Sequence, residues 1–188
     1  MTEAAIVNNL GPLAPLAGAW EGEKGLDDSP SESRGHMETA YRERIVFEPM
    51  GLVDNHEQQL QALRYSTMAY RLGESDPFHE ELGYWLWDAA EGQVMRCFIV
   101  PRGVTVLAGG DAGPNDQSFS MSATVGSEIY GISSNHFLDR EFKTVRYELS
   151  VTIVDPDTFR YEEVTHLLLK DRSDVFLHRD ANTLRRVA

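Results

Sequence analysis

Six histidines and one cysteine carry most of the coordination chemistry open to this 188-residue chain. With Cys97 alone, thiolate zinc sites and iron–sulfur clusters are excluded, and the thiol itself reads as a small core hydrophobe. No G-x-S-x-G elbow, P-loop, G-x-G-x-x-G or H-E-x-x-H motif is present. His36, His56 and His136 lie in polar or turn-like stretches and read as exposed. His79 is more informative. In Phe78-His79-Glu80-Glu81-Leu82-Gly83-Tyr84-Trp85-Leu86-Trp87, strand alternation puts His79, Glu81, Gly83, Trp85 and Trp87 on one face. Two tryptophans mark that face as interior, so His79 enters the same space near one mouth. His178 shares a side with Phe176 and Asp180, and a neutral imidazole in an apolar interior is a metal ligand in waiting, its second N–H needing an acceptor. His166, with Val164 and Leu168 on its side, is a third candidate. Adjacent acids such as Asp27-Asp28 and Glu162-Glu163 point to opposite faces of a strand and cannot act together, so no catalytic acid–base pair is assigned.

The elements that position these residues are strands. Val145 to Ile153 places five apolar residues at odd positions and four polar ones at even positions, the signature of a strand with one dry face. Phe119–Val125 alternates in the same way. Asp155-Pro156-Asp157 reads as the turn into a return strand, Phe159 to Leu169. Further strands are expected at Thr39–Glu48, Leu52–Tyr70, Glu80–Asp88, Val94–Val100, Val104–Ala108 and Val175–Val187. The Pro-broken segment Asn9–Gly18 suggests a short helical turn, and residues 26–36 read as a polar surface loop. The expected fold is all-β: a closed antiparallel up-and-down barrel of about ten strands with a short N-terminal helical turn, one domain over residues 1–188. Barrels of about this strand number hold one small ligand.

Composition narrows the partners. Thirty acidic against seventeen basic side chains give a net charge of −13, which repels phosphate backbones and anionic membranes. Met1–Val7 lacks the basic and apolar regions of a secretory leader, and no apolar run reaches the ~20 residues of a membrane span. A cytoplasmic protein without nucleic-acid or membrane partners is expected, and exposed barrel flanks suggest a homodimer. Arg179, Arg185 and Arg186 form a small basic cluster suited to an anionic group at a barrel mouth.

Three segments then resemble the nitrobindin family. Leu16-Ala17-Gly18-Ala19-Trp20-Glu21-Gly22 is similar to its opening G-x-W-x-G-x-G-x-G, with Gly18, Trp20 and Gly22 matching. Lys24 stands where a glycine is expected, and Gly25 is displaced by one residue. Phe78–Tyr84 resembles the family's strand carrying His, Glu, Gly and an aromatic. Leu177-His178 followed by Asn182–Val187 resembles its last strand. The resemblance implies a ten-stranded barrel like the fatty-acid-binding proteins and haem b held through iron by the last-strand histidine, a role falling on His178. It implies that His79 lines the haem cavity, and it implies reaction with nitric oxide and a peroxynitrite isomerase-like activity.

The resulting site set is His178 as iron ligand, His79 and Trp85 as cavity wall, and Arg179 as partner to a propionate, with Arg185 beside it. The expected interior is apolar, its distal side free of strong donors. A metal-free carrier or sensor of a fatty acid or other small apolar molecule is the alternative reading. A barrel filled by Trp85, Trp87 and Tyr84 is a third.

Overall fold

The computed structural model describes residues 9–187; the Met1–Val7 segment read above for a leader lies outside the described residues. A 3-10 helix, Gly11–Leu16, precedes eleven strands. These are β1 (Gly18–Pro30), β2 (His36–Asn55), β3 (Gln58–Arg71), β4 (His79–Asp88), β5 (Gln93–Val100), β6 (Val104–Asp111), β7 (Ser118–Thr124), β8 (Ile132–Ser134), β9 (Phe142–Asp155), β10 (Thr158–Leu169) and β11 (Val175–Val187). Every pairing is antiparallel. β1 lies between β2 and β11, and the β5–β6 pairing closes a ten-strand barrel, with β8 added on the flank of β6. The all-β barrel expected from alternation is the one that forms, because most strands carry a dry face and closure buries those faces without exposing the edges of the ten-strand sheet.

One seam is thin. β6 and β7 share a single paired position, Gly109 with Ser122. Beyond it the two strands part, and the segment leading into β8 bridges them through Leu107 N–H to the Gly131 carbonyl and Thr124 N–H to the Tyr130 carbonyl, both 3.0 Å.

Two boundaries differ from the sequence expectation. The polar run 26–36 is mostly strand: β1 and β2 stay paired out to Pro30 and His36, leaving only residues 31–35 as the turn. A polar composition misleads there because this hairpin arm rims an opening and both its faces meet water or polar groups. Leu52–Tyr70, expected as one strand, is broken at His56, whose positive φ of 61° forms the turn between β2 and β3.

The two ends of the barrel are unlike. The 3-10 helix and the Leu10 that precedes it bury Leu10, Leu13 and Leu16 in one cluster with Trp20, Trp87 and Val94 and stop one end. Arg186 fastens that plug by donating to the carbonyls of Ala17 and Pro15 at 2.6 and 2.8 Å while lying over the Trp20 ring. The opposite end is open. Its rim is the β1–β2 turn, the β5–β6 turn, the β10–β11 turn and a short helix α1 (His136–Glu141), which begins at His136 and is capped by Asn135. Arg34 stitches this rim, donating to the Lys170 carbonyl and pairing with Glu141, both at 2.8 Å.

Candidate functional site

The open end leads into a cavity of about 640 Å³, within the ~300–1,000 Å³ usual for ligand pockets. A filled interior is therefore overturned: Trp85 and Trp87 are buried at or below the floor, whereas Tyr84 projects outward and is exposed. The floor is aromatic, with Phe47, Trp85 and Phe159 meeting edge to face. Phe98, Val106, Leu149 and Leu167 give the side walls an apolar face, and Phe78, Phe142, Arg71 and Arg102 stand toward the rim.

Strand parity brings His178, Asp180 and Asn182 inward on β11, and β11 pairs with β10 without a register shift, so the imidazole of His178 lines the cavity. Its Nε2 is 2.6 Å from Asp27 Oδ1. Asp27 reaches it because of a β-bulge. Between Gly22 and Gly25, β1 carries one residue more than either neighbouring strand. The bulge switches the inward positions from even (Trp20, Gly22) to odd (Gly25, Asp27). Gly25 leaves the space in which the Tyr41 ring lies; a Cβ there would run into that ring.

His79 also lines the cavity, half-exposed, with Nε2 3.1 Å from Glu81 Oε1. Burial works to lower its pKa, but the hydrogen bond and charge of Glu81 outweigh burial and raise it from 6.5 to about 9. Trp85 forms part of the floor, and its indole Nε1 has no hydrogen-bond partner among the described residues. Arg179 is not brought to this site: it sits on the outer face beside His178 and is exposed, as is Arg185. His166 likewise faces away from the cavity and pairs with Glu148 at 2.7 Å. Cys97 is half-buried on the outer face between Tyr84 and Leu107 rather than in the core.

The interior is not the donor-free apolar space expected. A polar tier crosses it above the aromatic floor. Arg96, buried, reaches from β5 to Glu81 on β4, to Tyr147 on β9 and to Glu163 on β10, the last at 2.8 Å; its Nε donates to Tyr65 at 3.1 Å. Burial pushes the Glu81 carboxyl up, but Arg96 and then His79 pull it down to about 2. Beside this lies a second group, in which Glu43 accepts from Thr67 (2.8 Å), Tyr161 (3.0 Å) and Asn182 (3.1 Å), and Tyr41 donates to Asp180. Burial raises the pKa of Glu43. Burial and then the charge of Glu163 raise that of Asp180 well above the carboxylate range. The cause is visible in the register: Asp27, Asp180 and Glu163 are directly opposite one another on β1, β11 and β10, three carboxyls in one row facing the cavity. Like charges so placed oppose one another.

Sequence reasoning passed over this tier, although parity marked it. Arg96 stands between Val94 and Phe98, and Glu43 between Tyr41 and Ile45, each on the dry face of its strand.

Fold and cavity together define an intracavity ligand-binding antiparallel β-barrel. Residues 9–186 match the THAP4-like, heme-binding beta-barrel domain, and the chain belongs to that family. Among solved structures, the fold is similar to the crystal structure of Rv2717c from M. tuberculosis, with a TM-score of 0.66 and 20% sequence identity over 96% of this chain and 98% of that one. A search of curated proteins found no match. The cavity fits the family's group: its volume, its apolar side walls, an imidazole on one wall, and two arginines at the rim are what a flat apolar macrocycle with anionic edges requires.

Proposed function

We propose that this protein holds haem b in the open-ended cavity with His178 as the axial ligand to iron. The observation that carries this is the position of His178: a histidine of the last strand, turned into a roomy cavity whose side walls are apolar. Phe98, Val106, Leu149 and Leu167 would flank the ring, and His79 and Trp85 would line the space around it. The propionates would point to the mouth, where Arg71 and Arg102 stand; Arg179, on the outer face, takes no part. Bound there, iron would supply reactivity toward nitric oxide and peroxynitrite. The chain's own contribution is to hold the group, to stop the closed end of the barrel with the plug, and to keep the hydroxyls of Tyr65 and Tyr147 turned to Glu81 and Glu163 rather than to the ligand.

The fatty-acid reading loses ground on a specific feature. A carrier that held its ligand carboxylate deep in the bore would need a free cation there, and Arg96, the buried one, is already held by Glu81 and Glu163, which leaves only the rim arginines Arg71 and Arg102 for a carboxylate. The sole cysteine is a free thiol, which suits a reducing cytoplasm, and the uncharged outer patch of Leu82, Tyr84, Cys97, Ile99 and Leu107 on β4–β6 suits pairing of two copies.

Titration of the purified protein with ferric haem tests the reading. A sharp Soret band at one equivalent is expected, lost or strongly shifted in His178→Ala. A wild-type band retained in that variant removes His178 as ligand. Saturable binding of a fluorescent fatty acid with no Soret band would restore the carrier.

A further inference from the structure

We infer that Asp27 is a latch on His178, competing with iron for the same ring nitrogen and so setting how tightly haem binds; this rests on His178 being the axial ligand. The contact is short, 2.6 Å from His178 Nε2 to Asp27 Oδ1, and the two side chains are one-third and one-tenth exposed. A ring nitrogen that donates its proton to a carboxylate has no lone pair for a metal. The other nitrogen, Nδ1, is bonded to Cγ, the ring carbon that carries Cβ, so a macrocycle approaching it meets the residue's own backbone and strand neighbours. Nε2 is therefore the nitrogen that iron takes, and it is the one Asp27 occupies. The two engagements exclude each other.

The cost of release falls on Asp27. His178 is the only hydrogen-bond partner of its carboxylate among the described residues, and Asp27 is buried in the row with Asp180 and Glu163. Once His178 turns to iron, the carboxylate is left unpaired next to two acids, and an unpaired buried charge is expensive. Among the described residues Thr39, opposite Asp27 on β2, makes no side-chain hydrogen bond to it while His178 holds the carboxylate. The latch is also a property of this chain's irregular β1. Without the extra residue between Gly22 and Gly25, the inward parity would have continued on even numbers and Asp27 would face outward.

Haem affinity measured by absorbance titration for wild type, Asp27→Ala, Asp27→Val, His178→Ala and the Asp27→Ala/His178→Ala double variant tests this, with thermal melts showing that each is folded. Removal of the latch is expected to tighten haem binding at least about tenfold, equivalent to 1.4 kcal/mol, in both Asp27 variants and to change it less than twofold when His178 is absent. Unchanged or weaker binding in the Asp27 variants overturns the latch. Equal tightening without His178 also overturns it, since Asp27 would then act only as an unfavourable charge toward the propionates. A wild-type Soret band in His178→Ala instead overturns the ligand assignment itself. In the haem-free wild type, long-range 1H–15N spectra are expected to show His178 protonated on Nε2; a ring protonated on Nδ1 alone contradicts the latch without any variant.

Discussion

His79 and Glu81 hold each other in their charged forms at the edge of the cavity, and the signs of their shifts fix a pH window. His79 is raised from 6.5 to about 9, so its contribution to stability is whole below pH 6.5 and fades as pH passes 9. Glu81 is lowered from 4.5 to about 2, so its contribution is present above 4.5 and lost as pH falls toward 2. His79→Gln is therefore expected to destabilise the fold most between pH 4.5 and 6.5 and hardly at all above pH 9. Urea-unfolding midpoints of the two proteins across that range would show it; a difference independent of pH would mean that His79 contributes by packing alone. His79 is half-exposed, so the effect is modest in size.

At the scale of the element, Arg96 ties opposite walls together. It joins β4 and β5 to β9 and β10 across the bore through Glu81, Tyr147 and Glu163. Deleting it leaves Glu81 with only the half-exposed His79 as counter-charge and removes the cation of the partly buried Glu163, so Arg96→Ala is expected to lose about 3–5 kcal/mol of unfolding free energy. Arg96→Met combined with Glu81→Gln, which removes charge on both sides, is expected to lose less. Chemical denaturation of both variants would decide it, and equal losses would show that the guanidinium acts as a spacer and not as a counter-charge.

The same elements show what the sequence made legible. Alternation located nearly every strand and turned His79, Trp85 and His178 the right way, because a period of two survives in any strand with one dry face. It failed on the hairpin arm of β1, where the bulge breaks the period and hides Asp27. It also failed on the polar tier, for a different reason. The parity of Glu43, Glu81, Arg96 and Glu163 already points inward, but charged residues are taken as outward unless partners are known, and the partners come from strands up to 139 positions away. The basic cluster of Arg179, Arg185 and Arg186 suggests a propionate partner by composition alone, yet Arg179 is the strand neighbour of the inward His178 and so faces the opposite way.

For the whole molecule, the net charge of −13 sets copies of the chain against one another over most of the surface. One region escapes this. On the outside of β4, β5 and β6, Leu82 faces Ile99, Tyr84 faces Cys97 and Cys97 faces Leu107, without a charged side chain among them. Leu82 and Ile99 are more than half exposed. A two-fold interface must be complementary to itself, which an uncharged apolar sheet face satisfies. Wild-type protein is expected to sediment as a dimer and Leu82→Glu/Ile99→Glu as a monomer with its barrel intact. A monomeric wild type would refute pairing through this face.

The extra residue in β1 changes how relatives of this chain are to be compared with it. A gapless alignment through the glycine-rich opening puts every position from Gly25 to Pro30 one column out of step with a relative whose glycines keep the even spacing. It assigns Asp28, which faces away toward His36, to the column that looks into the barrel, and moves Asp27 to the outside. Placing a one-residue gap between Gly22 and Gly25 restores the correspondence. Only with that gap can a column of homologous residues show whether an acid opposite the last-strand histidine belongs to this chain or to a wider group.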